Sequence, residues 1–138
     1  MLRRILVADD NQMVRQTIAA ILRNGGFDVC GEAVDGQDAV AQALALQPDL
    51  ILIDLVMPNM NGLEASREIS QAFPGLPIVL HTLYVSNILE VEAEKNGISW
   101  VLPKWEGSNL VSQIRGFFTE RTLSENRLRT TDNQRATA

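Results

Sequence analysis

Leu50-Ile51-Leu52-Ile53-Asp54-Leu55-Val56-Met57-Pro58 is an apolar run with a single carboxylate near its end and a proline that closes it. Consecutive aliphatics, two of them isoleucines, have the composition of a strand buried on both faces, and such strands belong to parallel sheets covered by helices. Asp54 then stands at the C-terminal mouth of that strand. In open parallel sheets, ligands bind in the crevice at the strands' carboxyl ends. Asp54 is therefore the first candidate site residue.

On both sides of this run the chain alternates strand-like and helix-like patterns. Ile5-Leu6-Val7-Ala8 reads as a buried strand ending at Asp9-Asp10, and Asp10 or Asn11 can cap the helix after it. Met13, Val14, Ile18, Ile21 and Leu22 recur at helical spacing until Gly25-Gly26. Phe27 to Ala33 reads as the second strand, Asp35-Gly36 as a turn, and the alanine-rich stretch with Val40, Ala43 and Leu44 as a helix ending before Gln47-Pro48. Beyond the central strand, Pro58 to Gly62 reads as a loop whose asparagines and glycine suit tight or left-handed backbone. Leu63, Ile69, Ala72 and Phe73 mark a helix, Pro77 to Leu80 a strand ending at His81-Thr82, and Ser86 the cap of a helix running to Asn96-Gly97. That helix has the weakest apolar stripe, with Ile88 and Val91 on one face and Leu89 and Ala93 on another, so it is expected to be the most mobile. Ser99 to Leu102 reads as a fifth strand, and Leu110, Val111, Ile114, Phe117 and Phe118 give the last helix. Five strands alternating with five helices predict a doubly wound α/β domain over residues 1–119. From residue 120 to 138 only Leu123 and Leu128 are large and apolar, which predicts a polar, disordered tail.

Composition narrows the function classes. The chain has 138 residues, of which 46% are hydrophobic and 21% charged, enough to bury one substantial core. A net charge of -5 without a basic cluster argues against direct nucleic-acid binding. Cys30 is the single cysteine, so no internal disulfide can form; it reads as a small, packed apolar residue in a reducing compartment. Two arginines and a short apolar run precede Asp9, which suits neither a signal peptide nor a membrane span. A cytoplasmic location is expected.

The strand ends gather chemistry. Asp9-Asp10 close the first strand, Asp54 the third, Thr82 the fourth and Pro103-Lys104 the fifth. In a parallel sheet these ends share one edge. Converging carboxylates repel and need a cation in a semi-buried crevice. Hard oxygen ligands open to water suit Mg²⁺ better than Zn²⁺. Lys104 adds a fixed positive charge and Thr82 a hydroxyl. Singly, each residue has a plainer explanation: Asp10 as a cap, Asp54 as the start of a turn, Lys104 as a solvated cation. Their placement on one edge favours a site. His81 precedes Thr82 and by alternation faces the other way, which suits a packed or solvent-facing histidine better than a reacting one.

From residue 3 to about 119 the chain resembles the receiver domain of bacterial two-component response regulators, also called CheY-like. The resemblance rests on Ala8-Asp9-Asp10, on Asp54 to Pro58 with Asn61-Gly62 behind it, on Thr82 and on Lys104. It implies the flavodoxin-like strand order 2-1-3-4-5 and a phosphoacceptor at Asp54. It also implies a Mg²⁺ ion held by Asp10, Asp54 and the backbone carbonyl of Val56, with Asp9 acting through water. Lys104 is expected to pair with the aspartyl phosphate and Thr82 to hydrogen-bond it. Implied partners are a sensor histidine kinase or phosphotransfer protein upstream and a downstream protein or an attached output domain. The resemblance also allows a dimer through the helix 4, strand 5, helix 5 face, and it implies no membrane. A phosphoacceptor of this kind is not an enzyme acting on other molecules. The segment Val29 to Ala33 with Asp35-Gly36 is similar to receivers joined to helix-turn-helix DNA-binding domains.

Some positions depart from the family pattern. Val101 stands where many receivers carry an aromatic, Pro103 precedes the lysine rather than coming after it, and bulky Leu83 comes directly after Thr82. Trp100 neighbours Val101 but is expected on the opposite face of its strand. Proline in a strand fits only a sheet edge, as expected of the last strand. Leu83 is expected to shield an aspartyl phosphate from water. Two other classes use similar residues. An Asp-nucleophile phosphatase requires Asp-x-Asp, and Asp54 is succeeded by Leu55-Val56 instead; a phosphorylation-independent interaction module has no need of the intact acid, hydroxyl and lysine set.

Overall fold

A computed structural model describes residues 2–104 and 109–120. Five strands form one parallel sheet in the order β2-β1-β3-β4-β5, where β1 is Arg4–Ala8, β2 Asp28–Ala33, β3 Leu50–Asp54, β4 Ile78–Thr82 and β5 Trp100–Pro103. Between them run α1 (Gln12–Asn24), α2 (Gly36–Leu46), α3 (Gly62–Ala72) and α4 (Asn87–Lys95). This is the flavodoxin-like arrangement. The chain divides into two compact units after Gly107. In the second, residues 110–120 are helical, with Leu110 and Ile114 its buried positions. The tail expected beyond residue 120 lies outside the described residues.

β3 is buried on both of its faces up to Ile53. Ile51 and Ile53 join Leu6, Ala8, Ile78 and Leu80 in a core closed by Ala39 and Ala43 of α2, Ala65 and Ile69 of α3, and Ala93 of α4. The alternate residues Ile5, Val7, Leu50, Leu52 and Val79 are as completely buried, on the opposite face by the strand's period of two. Proline at Pro103 is tolerated because β5 is an edge strand.

Local chemistry sets the helix ends. Asn11, rather than Asp10, caps α1 by accepting the Val14 N–H at 3.0 Å. Asn61 caps α3 in a reciprocal box with Glu64. Ser86 caps α4 through the Leu89 N–H. Asp35-Gly36 is not a free turn: Asp35 is the N-cap of α2, accepting the Asp38 N–H at 2.7 Å, and Gly36 is already helical. The asparagine expectation holds at Asn59, whose φ is 68°. Gly62 is needed for another reason, because a Cβ there would collide with the Asp54 carbonyl oxygen.

Candidate functional site

The carboxyl ends of β1, β3 and β5 bring acids and a lysine together. Asp9, directly after β1, is only 2% exposed. Its backbone N–H donates to the Ala33 carbonyl, its Oδ1 accepts the Asn11 N–H at 3.0 Å, and its Oδ2 accepts from Lys104 Nζ at 2.8 Å. The same ammonium lies 3.3 Å from Asp54 Oδ1. Asp10 is exposed, yet one carboxylate oxygen from each of Asp9, Asp10 and Asp54 falls within 4.8 Å of the others. These three could hold a metal ion.

Burial and charge tune the groups in opposite senses. Asp54 has its pKa raised, first by burial and then by the neighbouring charges of Asp9 and Asp10; the Lys104 ammonium opposes this only in part. Burial alone works to lower the Lys104 pKa, but the hydrogen bond to Asp9 and the charges of Asp54 and Asp9 outweigh it, so the pKa is raised. Lys104 is thus held as a cation.

Thr82 ends β4, is buried, and pairs in register with Pro103. Val56 lies in the loop after β3 and is 73% exposed. Leu83 is 55% exposed. Val101 packs against the core, and its position offers no aromatic ring.

His81 resolves to the packed alternative, at 4% exposure. Its register partner is Asp54, and neither ring nitrogen has a hydrogen-bond partner. Burial first, and the Lys104 charge second, lower its pKa to about 4, with Asp9 opposing. Sequence alternation did not reveal that the register sets it level with Asp54.

Arg15 and Asn59 carry contacts that sequence patterns did not reveal. Arg15 Nη1 donates to the Asp9 carbonyl at 2.9 Å, and its Nε lies 3.4 Å from Glu32 of β2. Asn59 Nδ2 donates to Asp35 Oδ2 at 2.8 Å. The Arg15–Glu32 and Asn59–Asp35 contacts have no local motif, since each joins segments brought together only by the fold.

Residues 5–115 match the response regulator receiver domain family. The chain is 33% identical over 124 residues to the response regulator protein VraR of Staphylococcus saprophyticus, covering 88% of this chain and 59% of that protein. It is 30% identical over 113 residues to the chemotaxis protein CheY of Thermotoga maritima, covering 81% of this chain and 94% of that one. A crystal structure of a two-component response regulator of the LuxR family from Aurantimonas sp. SI85-9A1 superposes with a TM-score of 0.80 at 28% identity, covering 87% of each chain. The chain therefore spans less than two thirds of VraR but nearly all of this CheY. Among the described residues no helix is long and apolar enough to cross a membrane.

Proposed function

Since the chain belongs to the response regulator receiver domain family of two-component systems, we propose that Asp54 accepts a phosphoryl group from a histidine kinase or a phosphotransfer protein in a Mg²⁺-dependent reaction. The observation that carries this reading is the clustering of Asp9, Asp10 and Asp54 oxygens within 4.8 Å, with Lys104 Nζ bridging Asp9 and Asp54. Carboxylate oxygens are hard donors, a set that fits Mg²⁺ and offers no thiolate to a softer metal. Asp10, Asp54 and the Val56 carbonyl would hold the ion, with Asp9 acting through water. When bound, Mg²⁺ supplies positive charge to the phosphoryl oxygens.

Phosphoryl transfer asks the protein mainly for positioning and charge neutralisation. One Asp54 oxygen forms the bond to phosphorus as the donor's phosphorus–nitrogen bond breaks, and the electron pair leaves with the imidazole. Lys104, held protonated by its acidic neighbours, moves its ion pair from the Asp54 carboxylate to the new phosphoryl oxygens. Thr82 lies one residue beyond Asp54's register partner and donates its hydroxyl to the modified group. That bond exists only in the phosphorylated state, so it shifts the equilibrium between two conformations. The modified receiver then acts on a downstream partner in the cytoplasm.

A second reading concerns the output that the receiver controls. Relatives named as transcriptional regulatory proteins, such as PdtaR of Mycobacterium tuberculosis, are matched over only 55% of their length. This supports, as the alternative, a receiver that forms part of a longer helix-turn-helix transcription regulator, while the 94% coverage of the CheY relative supports one that acts on a separate protein.

The test is incubation with acetyl phosphate and Mg²⁺, then intact-mass measurement. Wild type gains one phosphoryl group, and Asp54→Asn gains none. Equal labelling of the Asn variant moves the acceptor to another residue.

A further inference from the structure

The loop between β3 and α3, residues 55–61, carries the Val56 carbonyl, and a loop carbonyl is a good ligand only if its backbone is already held. Most of what holds this loop is local. Gly62 N–H donates to the Leu55 carbonyl at 2.8 Å, Met60 N–H to the Pro58 carbonyl at 2.7 Å, and the Asn61–Glu64 box fixes the start of α3. Met57 anchors it in the hydrophobic core, with Leu55 and Met60 packed alongside, and two further contacts tie it to the start of α2, at the N-cap Asp35 and at Gly36. Asn59, in the left-handed region at φ 68°, donates its side-chain amide to Asp35 Oδ2 at 2.8 Å. One residue on, Gly36 meets the loop so closely that a Cβ would collide with the Met60 carbonyl oxygen.

Asp35 works with both oxygens. Oδ1 caps α2 through the Asp38 N–H and Oδ2 takes the Asn59 amide. The Asp38 backbone N–H first, and the Asn59 amide second, hold its carboxyl below the usual range, so it is an anionic acceptor at neutral pH. On the reading that Val56 lends its carbonyl to a divalent cation, we infer that the Asp35–Asn59 bond and the Gly36–Met60 contact form a clamp that fixes the β3–α3 loop before the cation arrives. Asp35 and Asn59 are positioning residues that touch neither metal nor phosphoryl group. Without the clamp, metal binding has to order the loop as well as fill its coordination, and affinity falls by the ordering cost.

Two substitutions separate the clamp from the helix cap. Asp35→Ser keeps an oxygen for the Asp38 N–H but has none to reach Asn59. Asn59→Gly keeps the left-handed backbone and removes the amide. Isothermal titration of the full chain with MgCl₂ reads the affinity, and urea unfolding in metal-free buffer reads the fold. Each variant is expected to unfold cooperatively and bind Mg²⁺ about tenfold more weakly, the lower end of what outer-shell changes cost. The double variant is expected to bind no more weakly than either single one, because both remove the same bond. Asp35→Asn, whose amide can donate to a flipped Asn59, is expected to restore affinity. Mg²⁺ affinities within twofold of wild type in both single variants, or additive losses in the double, overturn the clamp. Asp10→Ala is the control for the metal site. If it abolishes Mg²⁺ binding while the clamp variants are unaffected, the clamp alone is wrong; if it leaves binding unchanged, the metal assignment itself fails.

Discussion

Lys104 reaches two carboxylates at once, and Asp54 is the less well compensated of them. Its raised pKa means that the folded state binds its proton more tightly than the unfolded chain does. Stability therefore falls as pH rises from the unfolded value through the folded one, and the whole penalty is present at neutral pH. Asp54→Asn removes it. In metal-free buffer at pH 7 the variant is expected to be more stable than wild type, a gain that shrinks when Mg²⁺ is added or when the pH drops below the unfolded carboxyl range. Thermal melts at pH 7 with and without Mg²⁺ check this; a variant less stable than wild type in both contradicts it. His81 carries the opposite charge type. The unfolded histidine takes up a proton near pH 6.5 and the folded one only near pH 4, so stability falls as pH drops through that window. The full effect is about 3 kcal/mol. Urea unfolding at pH 7 and 4.5 is expected to show His81→Leu losing about 2 kcal/mol less than wild type. Parallel pH profiles for the two proteins refute the assignment.

Helix and strand ends carry most of the site, so their junctions tolerate little change. Gly62 opens α3 against the Asp54 carbonyl, where a Cβ would run into backbone oxygen. Backbone cannot swing aside as a flexible side chain would. Gly62→Ala is expected to cost roughly 1–3 kcal/mol in urea unfolding and to slow phosphorylation of Asp54, since the displaced atom belongs to the acceptor residue. An unchanged unfolding midpoint counts against that packing. α4 lies at the other extreme. Its buried residue is Ala93, while Ile88 is 78% and Val91 52% exposed. Few apolar contacts hold it, which makes it an element that a small energy difference at Thr82 can move.

Across the whole molecule, signalling requires that phosphorylation at the end of β3 be felt in the segment after β4. The Thr82 hydroxyl is proposed to make a bond in one state only, worth roughly 1.5–3 kcal/mol to a charged acceptor. Thr82→Ala is expected to be phosphorylated yet to show no change in amide exchange over residues 86–101, whereas wild type changes there. Leu83→Ala is expected to lose phosphate faster than wild type, because a leucine beside the threonine screens the in-line water. A rate equal to or slower than wild type removes Leu83 from that role, and identical exchange in phosphorylated and free wild type removes the coupling. The alternation of apolar runs with helical stripes by itself determined an α/β domain with Asp9, Asp10, Asp54, Thr82 and Lys104 at strand ends, because burial on both faces of a strand dictates its composition. Cap residues such as Asn11 and Ser86 were legible for a similar reason, since each bonds to its own next turn. Only the tertiary structure decided that Lys104 bridges Asp9 and Asp54, that His81 stands level with Asp54, that Arg15 reaches the Asp9 carbonyl, and that Asp35 caps a helix while holding Asn59. Apart from the Arg15–Asp9 bond across the turn into α1 and the Asp35 cap itself, those contacts join residues far apart in the chain. They depend on strand register and helix placement, and a slip of one residue reverses which face a strand side chain occupies, so no local pattern could record them.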